Sequence, residues 1–380
     1  MLTHFHSVNR LPLFRTGSLL ALLALGASPL RAQHEISDDA EQAPVMINYN
    51  ENAFGYSQMA QMAIMQKLQG ANRYAAAESQ ELQQTLAADE KVKTDHLLVT
   101  AGSGAVLTMT GLAYGEPGKN VITTQPGYTD LTDAFVSAGG EAKYVPLNDK
   151  LQYDLAAIKQ AIDADTKVVY ICNPNNPTGT IVNPLELTQF ILSAPKDVLI
   201  FIDEAYLDLA PGGLEKNSMV KLVSQRPNLI VARTFSKVYG MAGLRIGYGV
   251  AQPQTLEKLR PYFQGGPSIL SAVAATAAVQ DTDFYNYSVE SYTQVREMVK
   301  KRLDEMGIEY ADPNGSFIFI HTGVPIQELN AKLEEQNVII GRPFPPLLDW
   351  ARVTLGTPEE MEIFLEAFER AMKDLGKLAA

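Results

Sequence analysis

The chain has 380 residues, a formal net charge of −12 and 46% hydrophobic residues. That length suits a large core and two domains. The charge, with no basic block or aromatic-interleaved basic patch, argues against nucleic-acid binding, and the single cysteine, Cys172, excludes an intramolecular disulfide.

The first 32 residues stand apart. They carry Arg10, Arg15 and Arg31 and no acidic residue, and an apolar run from Gly17 to Ala27 follows Arg15. A basic start, a short apolar core and a small residue at Ala32 predict a signal peptide cleaved after Ala32. The protein is then periplasmic or secreted, with no stable membrane association after cleavage. The apolar run is too short for a comfortable membrane span; an uncleaved anchor is the alternative. No adjacent arginine pair supports twin-arginine export. Residues 33–44 read as a polar arm.

Asn48-Tyr49-Asn50-Glu51-Asn52-Ala53-Phe54-Gly55 reads as a turn-rich segment. A helix is expected over residues 57–68, where Met59, Met62, Ala63, Met65 and Leu68 form a stripe read as core packing. Asn72-Arg73-Tyr74 leads into a second helical stretch to about residue 88. A buried strand at 96–100 then meets Ala101-Gly102-Ser103-Gly104-Ala105 and a helix start. Free N–H groups and the helix dipole make that turn an anion site. It lacks the third glycine of a dinucleotide fingerprint and the spacing of a nucleophile elbow. A strand at 121–124 ends in Gln125-Pro126-Gly127-Tyr128, where Tyr128 either covers a flat π system or packs in a core. Helices are expected at 129–138 and 155–163, with a short strand at 142–146 between them.

The strand at 167–172 closes on Asn173-Pro174-Asn175-Asn176-Pro177-Thr178-Gly179, and Cys172 reads as a packing residue. The most apolar strand, 198–202, runs into Asp203-Glu204-Ala205-Tyr206. A carboxylate at the end of a buried strand is costly unless it meets a cation. A metal reading is weaker, because no histidine cluster accompanies it. The strand at 229–232 leads into Arg233-Thr234-Phe235-Ser236-Lys237, and Arg245 follows eight residues after the lysine. Thr234, Ser236 and Arg245 suit an anion, and neighbouring cations should lower the pKa of Lys237. A neutral amine beside a phosphate site is what a Schiff-base lysine needs. Beyond lie a long helical region at 271–306, a strand at 316–320, a helix at 325–336 and strand-like segments at 337–342 and 351–357. Alternating strands and helices over residues 95–250 argue for an α/β domain with a largely parallel sheet, whose ligands bind where strands end.

Two strings are specific. Asn173 to Gly179, and the run Ser236-Lys237…Gly240…Gly243…Arg245…Gly247-Tyr248, resemble the signatures of class I/II pyridoxal-phosphate (PLP) aminotransferases of fold type I. The likeness is strongest to histidinol-phosphate aminotransferases and covers nearly all the chain after the leader. It implies a large domain (70–267) with a mostly parallel seven-stranded sheet between helices. It also implies a smaller α+β domain at 268–380, with residues 33–69 as an arm and part of that smaller domain. By resemblance, Lys237 is the Schiff-base lysine and proton carrier, and Asp203 faces the pyridine nitrogen. Tyr206 and Asn176 reach the ring oxygen, and Tyr128 stacks on the ring. Ser103, Gly104, Thr234, Ser236 and Arg245 surround the phosphate, with Tyr74 supplied by the other subunit of a homodimer. Arg352 holds the substrate anion, with Arg342 and Asn52 also facing the substrate. No metal is implied. Departures are Ala53 and Phe54 where the family has Pro-Tyr, Ala75 for proline and Ala105 for an acidic residue.

The implied reaction moves an amino group from an amino acid or amino-phosphate, histidinol-phosphate-like or aromatic, to a 2-oxo acid such as 2-oxoglutarate. An exported chain sits badly with histidine biosynthesis, a cytoplasmic route, so an aromatic or other amino acid is the expected donor. The alternatives are a decarboxylase or lyase of the same fold, or a non-catalytic PLP-fold binding protein.

Overall fold

The structure, a computed structural model, describes residues 43–379. The expected signal peptide and most of the polar arm lie outside the described residues. The first described elements are β1 (Val45–Met46), α1 (Gln58–Lys67) and α2 (Ala76–Asp89). The foreseen alternation follows with β2 (Leu97–Thr100), α3 (Ser103–Tyr114), β3 (Asn120–Gln125), α4 (Asp130–Ser137), β4 (Glu141–Pro146) and α5 (Leu155–Ala161). It continues through β5 (Thr166–Cys172), α6 (Pro184–Ser193), β6 (Leu199–Asp203), α7 (Gly213–Asn217), β7 (Leu229–Thr234) and β8 (Gly247–Ala251). The chain ends with α8 (Pro253–Leu259), α9 (Ile269–Gln280), α10 (Thr282–Glu305), β9 (Phe317–His321), α11 (Ile326–Glu334), β10 (Val338–Ile339), β11 (Trp350–Thr354) and α12 (Pro358–Asp374).

Seven strands form one sheet in the order β2-β8-β7-β6-β5-β3-β4. Only β8 runs antiparallel to its neighbours, β2 and β7. Buried on both faces, the central strands β5, β6 and β7 are mainly apolar, as a parallel sheet between helices requires, whereas the edge strand β4 is more polar and partly exposed. Alternate residues serve the two faces: Val169, Ile171, Ile200 and Ile202 join one core, whereas Val168, Tyr170, Leu199 and Phe201 join the other. Helices α2, α6 and α9 cover the first face, and α3, α4 and α8 the second. A third core gathers α10, α11 and α12 against the antiparallel β9–β11 pair.

The structure differs from the sequence expectation at several places, among them α6 and α8, where no helix was expected. The single helix foreseen at 271–306 is two helices, because Asp281 caps a new start by accepting from the Phe284 N–H. Helix α9 packs with α1 and α2 against the large sheet. The two cores therefore part after Gln280, not before Ser268, and α1 belongs with the large sheet rather than with the smaller domain. The methionine stripe on α1 faces outward: Met59, Met62, Met65 and Leu68 are exposed, while Ala60 and Ile64 turn to the core. Sequence reasoning also missed α12, although Thr357-Pro358-Glu359-Glu360 announces it. Thr357 and Glu360 form a reciprocal capping box. Among the described residues no helix is long and apolar enough to cross a membrane.

Candidate active site

Because β2, β3, β5, β6 and β7 are mutually parallel, their carboxyl ends share one edge of the sheet. Antiparallel β8 starts at that same edge, so Arg245, just before it, arrives beside the turns that follow the other strands. A cavity of about 730 Å³ opens there. It is lined by Ser103, Gly104, Tyr128, Asn176, Asp203, Tyr206, Thr234, Ser236, Lys237, Arg245, Arg342 and Arg352, which lie far apart in sequence.

Lys237 is fixed at the centre. Its Nζ donates to the Asn50 carbonyl at 2.9 Å and lies 5.3 Å from the centroid of the Tyr206 ring. Its pKa is lowered to about 8. The expected cause was neighbouring cations. Removal of the amine from water is the larger effect, with Arg352 and then Arg245 adding to it and Glu51 opposing.

Asn50 was not foreseen as a site residue. It adopts a left-handed backbone (φ 56°), which places its carbonyl on Lys237. Its Nδ2 donates to the Tyr206 hydroxyl at 3.2 Å, and Thr354 on β11 anchors it through two hydrogen bonds. Asn52 departs from its expected substrate contact. Its Nδ2 is spent on the carbonyls of Lys237 and Val238 and on Ser288 Oγ, and its Oδ1 accepts from the Phe54 N–H. Asn52 therefore holds the lysine loop and does not line the cavity. Phe54 packs edge-on against Tyr292, 5.1 Å away.

Asp203 is buried at the end of β6, where Oδ1 accepts from the Ala205 N–H. Burial, above all, pushes its pKa up to about 7. Cys172 lies opposite it across the β5–β6 pair and is likewise buried. Asn176 offers Nδ2 to the Tyr206 hydroxyl at 3.5 Å, while its Oδ1 accepts from Arg352 Nη1 at 2.8 Å. Burial raises the Tyr206 hydroxyl above its ordinary pKa, with Arg352 opposing. Arg352 Nη2 donates to the Asn48 carbonyl at 2.6 Å. Its Nε is buried without a hydrogen-bond partner. Among the described residues Arg245, Arg342 and Arg352 form no ion pair.

Ser103 and Gly104 occupy the first turn of α3, where N–H groups have no helical acceptor. Gly102 before them has φ 88°, and a Cβ there would meet Arg245 Nη2 at 2.6 Å. That close approach packs a guanidinium against the turn. The Thr234 hydroxyl donates to Ser236 Oγ at 3.0 Å and accepts from the Ser236 N–H. Thr234 therefore sets Ser236 as much as it faces the cavity. Tyr128 stands at the rim, its hydroxyl donating to Asp130 at 2.7 Å. Tyr74 is fully exposed and does not line this chain's cavity.

These donors fit PLP. A buried carboxylate with one backbone donor matches a pyridinium nitrogen. A helix start, two hydroxyls and a guanidinium match a phosphate. A desolvated lysine lies among them.

Comparison with known proteins agrees. The family described as aminotransferase class I and II matches residues 44–368. A histidinol-phosphate aminotransferase from Brevibacillus brevis is 35% identical over 327 residues, covering 84% of this chain and 88% of the relative. One from Moorella thermoacetica is 33% identical, covering 85% and 84%. The solved histidinol-phosphate aminotransferase of Sinorhizobium meliloti, in complex with pyridoxal-5'-phosphate, superposes with a TM-score of 0.80 at 27% identity, covering 87% of this chain and 91% of that one.

The chain belongs to the class I and II aminotransferases. It is a PLP-dependent aminotransferase of fold type I.

Proposed function

We propose that the amino donor carries a phosphate monoester, of the kind for which the histidinol-phosphate aminotransferases are named, and that the acceptor is a 2-oxo acid such as 2-oxoglutarate. One observation carries this reading. Arg342 and Arg352 line one cavity with Lys237, neither has an ion-pair partner among the described residues, and Arg352 keeps a buried N–H unspent. Two guanidiniums suit a doubly charged group better than one carboxylate.

PLP, when bound, supplies the electron sink. The chain's own groups do the rest. Lys237, with a pKa near 8, is neutral often enough to take a proton from the substrate carbon and return it. Asp203 would hold the ring nitrogen's proton, and Tyr206 and Asn176 would bind the ring oxygen. Ser103, Gly104, Ser236 and Arg245 would bind the cofactor phosphate, and Tyr128 would cover the ring and exclude water. Arg352 and Arg342 would orient the donor. The outward Tyr74, which makes no hydrogen bond among the described residues, supports a homodimer. Export rests on the leader pattern of residues 1–32, and amino-terminal sequencing of the secreted or periplasmic protein, expected to begin at Gln33, tests it.

The functional test is spectroscopic. The full chain is loaded with PLP, and its visible band is followed with histidinol phosphate, aromatic amino acids and glutamate. The band should bleach at the lowest concentration with the phosphorylated donor and return with 2-oxoglutarate. Lys237→Ala should show no turnover. A preference for an unphosphorylated aromatic donor would overturn the substrate class, and release of carbon dioxide would make the enzyme a decarboxylase.

A further inference from the structure

Arg342 and Arg352 reach the same cavity, but the fold holds them in unlike ways. Arg352 projects from β11, is buried, and is tied by Asn176 and the Asn48 carbonyl. Arg342 lies in the irregular segment after β10 and is exposed. Its one hydrogen bond runs to the carbonyl of the adjacent Pro343, at 3.0 Å. Two like charges on one cavity wall repel, and an exposed arginine has many rotamers open to it. Neither fact favours Arg342 staying beside Arg352.

The aromatic ring of Phe344 supplies the missing hold. The Arg342 guanidinium carbon lies 4.4 Å from the ring centroid, and that of Arg352 lies 4.9 Å from it. Both distances are within the range of about 6 Å over which a ring face attracts a cation. Phe344 is itself 4% exposed and packs against the β9–β11 strand pair that carries Arg352. Phe319 meets it edge-on at 6.3 Å, and Trp350 stacks on Phe319 at 5.2 Å. Phe319 is the cross-strand partner of Arg352, and Trp350 precedes Arg352 by two residues on the same strand. One small aromatic cluster therefore references both guanidiniums to a single rigid element.

We propose that Phe344 is a specificity-determining positioning residue: its ring holds Arg342 beside Arg352, so the cavity presents a preformed guanidinium pair that selects a phosphate monoester over a single carboxylate. The proposal rests on the substrate reading above. A dianion engages both forks, whereas a carboxylate is satisfied by Arg352 alone. Without the ring, Arg342 must be ordered anew at each binding event, and only the ligand that needs Arg342 bears that cost.

The test uses Phe344→Leu, which keeps apolar bulk and removes the ring face, and Phe344→Tyr, which restores the face. The full chain is loaded with PLP, so the cofactor's own phosphate cradle is filled. Binding of inorganic phosphate and of acetate is then measured by calorimetry, alongside KM and kcat for histidinol phosphate. Phe344→Leu should weaken phosphate roughly tenfold, the scale of one partly desolvated cation–ring contact. Acetate should change far less, KM should rise more than kcat falls, and Phe344→Tyr should recover most of the loss. Equal losses for phosphate and acetate, or none for phosphate, would overturn the proposal. Arg342→Gln separates the two readings. If it leaves phosphate affinity intact, the phosphate-donor reading fails as well. If it weakens phosphate while Phe344→Leu does not, only the role of Phe344 fails.

Discussion

Asp203 shows how a residue can be costly to the bare fold and useful to the loaded enzyme. An ordinary aspartate titrates near 4, whereas burial raises Asp203 to about 7. Between those values the folded chain binds a proton that the unfolded chain releases. Stability of the cofactor-free chain should therefore fall as pH rises from about 4 to about 7, and level off above. Asp203→Asn removes the titrating group. The cofactor-free variant should melt above the wild type at pH 8 by several degrees, and the gap should shrink at pH 5. PLP should raise the melting temperature of the wild type more than that of the variant. A gap that ignores pH would mean the carboxyl is not desolvated as described. At this scale much of the site was legible in sequence. Lys237, Asp203, Asn176 and Arg352 lie in strings whose residues serve chemistry, so local order carries the signal. Asn50 and Phe344 were hidden, because each acts across the fold: 187 residues separate Asn50 from the lysine it holds.

The elements that carry these residues are locked behind the site by a buried ionic cluster. Arg233, near the end of β7, bridges Glu204 at 3.1 Å and Glu90 at 3.2 Å. Glu204 also accepts from the Met219 N–H and Ser218 Oγ, and Tyr248 donates to Glu90 at 2.5 Å. Glu204 directly follows Asp203, and Arg233 precedes Lys237 by four residues. The cluster thus fixes the ends of β6 and β7 relative to each other. Arg233→Met leaves two buried carboxylates without their cation and should cost about 3–5 kcal/mol in urea unfolding. Adding Glu204→Gln should recover part of that loss, since it removes one orphaned charge. A loss below about 1 kcal/mol would show the cluster to be solvated. The central strands were readable because both faces of the sheet are buried there and each of them is a short, mainly apolar run. The outward turn of α1 was not readable: periodicity gives the spacing of an apolar stripe, but not what covers it.

That stripe matters at the scale of the whole molecule. Met59, Met62, Met65 and Leu68 stand exposed on or just after α1, and Tyr74 is 100% exposed a few residues on. A contiguous apolar row on a surface marks a contact face. The proposed occupant is a second copy of the chain, which would also explain Tyr74, a residue that resembles one the family lends to the neighbouring subunit. Light scattering of the full chain should give twice 41.5 kDa. Met62→Glu with Met65→Glu places charge in that face and should shift the chain toward monomer, because two unpaired carboxylates would have to be buried on association. PLP affinity should fall in the same variant, and Tyr74→Ala should weaken PLP while leaving the dimer intact. The pairing of those two results is what discriminates. A monomeric variant with undiminished PLP affinity would confine the cofactor site to one chain and remove Tyr74 from it. A dimer unmoved by both glutamates would place the contact on another face. Only the joint loss ties the exposed row on α1 to the cavity at the sheet edge.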